Sequence, residues 1–161
     1  MLDHPFPPFF DNASTILILG SFPSVRSREQ GFFYGHPQNR FWRVLAAVYE
    51  EDTPRTIEEK KQFLTNHHIA LWDVVAACEI EGSADSTLRQ VSGNDLTSLL
   101  ARAPISRIFV NGKAAERYYR RLIEPIVHRT AITLPSSSPA NASWSLERLI
   151  DAWGIIKTKK P

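Results

Sequence analysis

Short apolar strand-like runs alternate with helical stretches along this chain, and that alternation limits the folds open to it more than any other feature. "STILILG" (Ser14–Gly20) is β-branched, apolar and closed by a glycine, the pattern of a buried strand. "IALWDVV" (Ile69–Val75), "SRIFVNG" (Ser106–Gly112) and "TAITLP" (Thr130–Pro135) repeat it. Between them the period changes. Over Asn39–Glu51, residues Phe41, Trp42, Leu45, Val48 and Tyr49 share one helical face, with Asn39 at the N-cap position. "TIEE" from Thr56 is a capping box opening a helix to about Asn66. Asn94 and Asp95 start a short helix through Leu100, another runs from about Lys113 to Ile123, and a last one carries Trp144, Leu146, Leu149, Ile150 and Trp153. "EGSADSTLRQ" reads as a polar loop. Strands alternating with helices predict a parallel sheet with helices on both faces. The 161 residues fit one domain spanning residues 1–161.

Sheets of this kind bind ligands beyond the carboxyl ends of their strands. Four segments leave strands at that edge: "GSFPS", Asp73, "NGK" and "PSSSPANAS". The first crossover contains "GFFYGHPQN" (Gly31–Asn39), which can fold over the same edge. Core packing accounts for Phe41 and Trp42 just beyond it. It does not obviously account for Phe32, Phe33, Tyr34 and Asn39 in a loop.

Several chemistries are disfavoured. "NGKAA" lacks the Walker pattern, because Arg107 stands where a glycine is needed and Ala114 replaces the magnesium-binding hydroxyl. Gly20 stands alone, so there is no dinucleotide fingerprint. Ser136, Ser137 and Ser138 have no nucleophile elbow around them. His4, His36, His67, His68 and His128 show no metal-ligand spacing, so no metal or other cofactor is expected. The single cysteine, Cys78, forms no internal disulfide, and the start "MLDHPFPPFF" has neither the basic nor the apolar region of a signal peptide. No apolar run approaches the roughly 20 residues that span a bilayer. A soluble protein of the reducing cytoplasm, without a membrane partner and monomeric, is the expectation. The net charge of +2 is compatible with a polyanionic partner but does not demand one.

"GSFPSVRSREQGFFYGHPQNRFW", taken with "LPSSSPANAS", resembles the uracil-DNA glycosylase superfamily, and most nearly its branch of small deoxyinosine (hypoxanthine) DNA glycosylases. "LWDVV", "GSADS", Asn94–Asp95 and "VNGKAA" follow in the family's order, so the resemblance covers most of the chain. It implies a three-layer α/β/α sandwich around a four-stranded parallel sheet. It implies a monofunctional, metal-free enzyme that flips a deaminated base out of DNA and hydrolyses its N-glycosidic bond, hypoxanthine first and uracil second. The alternatives are a uracil or mismatch-specific glycosylase, and a non-catalytic nucleic-acid-binding domain of the same fold. The last gains weight from Phe22, which stands where the wider superfamily carries an Asp or Asn for the attacking water. In the deoxyinosine branch the Asn of H-P-x-N takes over, and Asn39 matches it.

The chemistry needs a water held below C1′ and hydrogen bonds to the departing base, and neither task demands a charged group. An Asn can accept from a water and donate from its amide, although Asn39 also suits an N-cap. A flipped base needs an aromatic face. Tyr34 aligns with the stacking residue of the mismatch-specific branch and Phe33 is its neighbour, while either ring can instead fill the core. Ser21 and Phe22 are expected to line the pocket floor. Asn111 can pair with the N1–H and O6 of hypoxanthine, or simply form a turn before Gly112. Ser136, Ser137, Ser138, Ala140 and Asn141 match the loop that contacts phosphates and enters the gap left by the base, with Ala140 or Asn141 as the wedge; a plain turn is the alternative. Arg26, Arg28, Arg40 and Arg43 can track the DNA backbone or serve as solvated surface charges.

Overall fold

A computed structural model of the chain describes residues 2–4, 6–79 and 89–157. Its centre is a parallel sheet of four strands: β2 (Ile16–Gly20), β3 (Ile69–Asp73), β6 (Arg107–Asn111) and β7 (Ile132–Leu134), in the order β3-β2-β6-β7. Every residue of β2 is buried. Its alternating side chains feed two cores: Ile16 and Ile18 face one way, Leu17 and Leu19 the other. Ile18 joins the core of α2 (Phe41–Val48) and α7 (Leu146–Trp153), through Phe41, Leu45, Leu149 and Trp153. Leu17 and Leu19 join that of α4 (Thr97–Arg102) and α5 (Lys113–Leu122), through Leu99, Ala115, Tyr118 and Tyr119. The layers are helix, sheet and helix, and the four strands are those the apolar runs predict.

The second strand is shorter than expected. β3 stops at Asp73, and after Val74 a new strand, β4 (Val75–Glu79), begins. Val74 N–H and Val75 N–H donate to the carbonyls of Gly20 and Ser21, and Asn94 Nδ2 donates to the Asp73 carbonyl at 2.7 Å. These bonds turn the chain out of the parallel sheet. β4 then pairs antiparallel with β1 (Leu2–Asp3) and with β5 (Arg89–Gly93). The loop expected at residues 81–90 therefore ends in a strand at Arg89 and Gln90, and its residues 81–88, including "GSADS", lie outside the described residues.

Helix starts show two further differences. α1 (Val25–Gln30) lies inside the first motif, capped by Ser24, whose side chain accepts from Ser27 N–H, and closed by Gly31 at φ 72°. Its single polar turn and a half carries no apolar periodicity to announce it. α2 begins at Phe41, with Arg40 at the N-cap; Asn39 stands one residue earlier and its Oδ1 accepts from Phe41 N–H at 3.0 Å. Asn39 thus supports the helix start through an Asx turn. α3 (Ile57–Asn66) has the expected capping box between Thr56 and Glu59. α5 is followed by the short α6 (Glu124–Val127).

Candidate active site at the carboxyl edge of the sheet

The strand ends meet as parallel topology requires. Gly20 is in register with Asp73, and β6 ends alongside at Asn111, paired with Leu134. A cavity opens on this edge. Ser21, Phe22, Phe33, Tyr34, Asn39, Asn111, Ser136, Ser137 and Ser138 all line it. Nine of the residues singled out in the sequence, drawn from four separate segments, share one concave surface. Ala140 and Asn141 line an adjoining groove with Gly112, Lys113 and Trp144.

Ser137 joins the segments. It is fully buried. Its N–H donates to Asn111 Oδ1 at 3.0 Å, and its Oγ accepts from Asn111 Nδ2 at 2.9 Å. Its hydroxyl proton then goes to Asn39 Oδ1 at 2.8 Å. Gly112 allows this approach: its φ is 95°, and a Cβ there would lie 2.9 Å from Ser136 Cβ.

Arg40 braces the same loop. Its guanidinium donates to the carbonyls of Ser138 at 3.0 Å, Asn141 at 3.1 Å and Trp144, and its N–H donates to the Ser137 carbonyl. The sequence offers Arg40 either as a side chain tracking DNA or as a solvated surface charge; the structure has it spread over three loop carbonyls.

The aromatics divide. Phe33 is 2% exposed and packs edge-to-face on Phe6 and Phe32, so its ring belongs largely to the core. Tyr34 lies flat on Phe41, with centroids 3.9 Å apart and planes 12° apart. Its φ of 55° is a left-handed conformation that costs a bulky residue of order 1–3 kcal/mol, the kind of strain that clusters at functional sites. Phe22 is half-buried and meets the His4 ring edge-on, 5.9 Å away.

One pair in the site was not selected from the sequence. Asp73 lines the cavity and is the one carboxylate among its described lining residues. Its Oδ2 is 2.8 Å from His4 Nε2, and both side chains are about 95% buried, at 4% and 5% exposure. His4 Nδ1 faces the Phe6 carbonyl at 2.8 Å. The Phe6 N–H also approaches Nδ1, at 3.5 Å, so the ring is held at both of its nitrogens. Gly20 leaves room for the carboxylate, since a Cβ there would come within 2.4 Å of Asp73 Oδ1. The signal available in the sequence was Asp73 at a strand end; nothing local pairs it with a histidine 69 residues earlier. Ser27 was also passed over. It is 1% exposed, and its hydroxyl accepts from Gly35 N–H at 2.7 Å, tying α1 to the aromatic loop. Among the described residues, no group of His, Cys, Asp and Glu side chains is arranged to hold a metal ion. None of their helices is long and apolar enough to cross a membrane.

An open α/β sheet with a polar and aromatic cavity at its carboxyl edge defines a class of ligand-binding and catalytic domains. Within that class, this chain belongs to the uracil DNA glycosylase superfamily, whose family model matches residues 7–157. It is 37% identical over 150 residues to a hypoxanthine DNA glycosylase of Methanosarcina acetivorans, covering 92% of this chain and 94% of that protein. It is 36% identical over 138 residues to a hypoxanthine DNA glycosylase of Methanosarcina barkeri, covering 84% and 86%. The solution NMR structure of a Methanosarcina acetivorans protein, described as a candidate uracil DNA glycosylase, superposes with a TM-score of 0.80 at 32% identity, over 98% of this chain and all of that one.

Proposed function

We propose that this protein is a monofunctional DNA glycosylase that hydrolyses the N-glycosidic bond of deaminated bases, hypoxanthine first and uracil second, and leaves an abasic site. The observation that carries the reading is the junction of Asn39, Ser137 and Asn111 at the wall of one cavity beside an aromatic surface. Two relatives that match most of the chain are named hypoxanthine DNA glycosylases, which supports the choice of base.

Asn39 is the catalytic residue of this reading. Asn111 reads the base. Each atom of its carboxamide has one bond to Ser137 and keeps capacity for one more. Nδ2 donates to O6 of hypoxanthine or O4 of uracil, and Oδ1 accepts the neighbouring ring N–H. Adenine and cytosine present the opposite pattern and are refused. Ser21 and Phe22 form the floor, with Tyr34 and Phe33 in the wall. Backbone N–H groups and hydroxyls of Ser136–Ser138 contact phosphate, and Ala140 or Asn141 fills the gap in the duplex. Arg40 acts on DNA indirectly, through the loop it braces. The protein works as an intracellular monomer without a metal.

The test is an inosine-containing oligonucleotide. Purified protein is expected to generate alkali-labile abasic sites, undiminished by excess chelator, with no adduct trapped by borohydride. A second reading, uracil as the main substrate, is favoured by the superfamily match and predicts faster cleavage of uracil than of inosine DNA under single-turnover conditions. Phe22 in place of an acidic or amide side chain favours a third, DNA binding without cleavage.

A further inference from the structure

We infer that Ser137 is a positioning residue that holds the Asn39 carboxamide in one orientation, so that Asn39 serves catalysis as a hydrogen-bond donor to the departing base and not as the acceptor that holds the water. The inference rests on the glycosylase reading and assigns atoms within it.

The orientation follows from groups whose direction is fixed. A backbone N–H only donates. The atom of Asn111 that meets Ser137 N–H is therefore the oxygen, and the one that meets Ser137 Oγ is the nitrogen. Ser137 Oγ accepts there, which frees its proton for Asn39. The atom of Asn39 that meets Phe41 N–H is likewise the oxygen. All bonds run one way: Asn111 Nδ2–H to Ser137 Oγ, Ser137 O–H to Asn39 Oδ1, and Phe41 N–H to the same Oδ1.

Asn39 Oδ1 therefore accepts two hydrogen bonds, at 2.8 Å and 3.0 Å, and a carboxamide oxygen has two lone pairs. Neither is left for a water. The Asn39 Nδ2 group donates to no partner among the described residues, and the side chain lines the cavity. What Asn39 offers a substrate is a pair of N–H donors. In hydrolysis the C1′–N bond breaks with its electron pair leaving on the base, the water oxygen bonds to C1′, and the water's proton ends on the released base. A donor aimed at a ring-nitrogen or carbonyl acceptor of the base strengthens as that charge develops. Asn39 itself neither gains nor loses a proton. The chain also has a cooperative sense, since each donor polarises the next group.

Asn39→Asp separates the two roles. A carboxylate keeps both incoming hydrogen bonds, from Phe41 N–H and Ser137 O–H, but has no N–H to give. Single-turnover cleavage of inosine DNA is expected to fall about 100-fold, as far as in Asn39→Ala. Affinity for an uncleavable analogue of that DNA should stay within about threefold. Cleavage by Asn39→Asp within tenfold of wild type would overturn the donor role, and so would a loss confined to affinity. Ser137→Ala is tested in both backgrounds. It should slow the wild type about 10-fold and slow Asn39→Ala by clearly less, because the part of its effect that runs through Asn39 has nothing left to position and only the lost Asn111 Nδ2 bond remains. Equal losses in both backgrounds would refute the positioning role. Inactivity of the wild-type protein on inosine and uracil DNA alike would instead defeat the glycosylase reading.

Discussion

Asn111 and Ser137 are bound to each other twice, through Ser137 N–H to Oδ1 at 3.0 Å and through Nδ2–H to Ser137 Oγ at 2.9 Å. The end of β6 and the loop after β7 are thereby one unit. Asn111→Ala leaves the Ser137 N–H without its acceptor beside a fully buried side chain. Losing a buried partner costs roughly 1–3 kcal/mol, so the variant should unfold at lower urea while also cleaving inosine and uracil DNA more slowly. Asn111→Asp should melt nearer to wild type, because its carboxylate still accepts the N–H. It should cleave poorly, because it draws the Ser137 hydroxyl proton away from Asn39 and cannot donate to O6 or O4. Wild-type stability in Asn111→Ala would make the double bond to Ser137 energetically idle.

The N-terminal segment reaches the site through His4. Removing one partner of a buried hydrogen bond strands the other, at a cost of roughly 1–3 kcal/mol. His4→Ala also removes a ring packed on Phe6, so it is expected near the upper figure, about 3 kcal/mol. Equilibrium unfolding in urea measures it. His4→Ala combined with Asp73→Asn should recover part of the loss, because the carboxyl group that lost its partner is gone. No recovery in the double variant would mean that His4 acts through its ring contacts with Phe6, Phe22 and Trp72.

Arg40 gives an electrostatic test. A lysine or arginine that contacts a phosphate contributes about one unit to the slope of log affinity against log salt. Arg40 donates instead to the carbonyls of Ser138, Asn141 and Trp144. Arg40→Gln should therefore lower thermal stability and weaken DNA binding by a similar factor at every salt concentration, with the slope unchanged. A slope reduced by about one would place this guanidinium on the DNA backbone.

Much of this site was legible in the sequence because the topology was. Four apolar runs identify the strands, and parallel strands bring their carboxyl ends to one edge, so Ser21, Asn39, Asn111 and Ser137 could be assigned to one place without knowing a distance. What stayed hidden was pairing. The break after Asp73 is made by bonds from Val74, Val75 and Asn94, and the strand that follows pairs with β1, a two-residue strand that has no periodicity of its own. The His4–Asp73 contact joins positions 69 residues apart. Asn39 shows the same limit in finer detail: its residue type suits an N-cap and a catalytic amide equally. Only the direction of the Ser137 and Phe41 hydrogen bonds tells which atom of the amide is left over.

The three aromatic candidates should separate by what each loses. Phe33 is 2% exposed and packed on Phe6 and Phe32, so Phe33→Ala opens a core cavity and is expected to cost about 3–5 kcal/mol of stability, a loss large enough to obscure any catalytic effect. Tyr34 already has Phe41 stacked on one face at 3.9 Å. Tyr34→Phe keeps that stack and the ring, so it should retain most activity if the ring alone matters. Phe22 is half-buried, lines the cavity, meets His4 edge-on at 79° between planes, and has the Arg28 guanidinium carbon 5.8 Å from its ring centroid. As part of the proposed floor it can meet a flipped base, and stacking of this kind is worth roughly 1–3 kcal/mol per base. Phe22→Ala should therefore weaken binding of an uncleavable inosine analogue by about 5- to 150-fold, by conversion of that energy range, with little change in melting temperature. Phe22→Leu, which preserves bulk but not the aromatic face, should lose nearly as much. Full affinity in Phe22→Leu would mean that the floor needs only volume at this position, and would leave the stacking role with Tyr34.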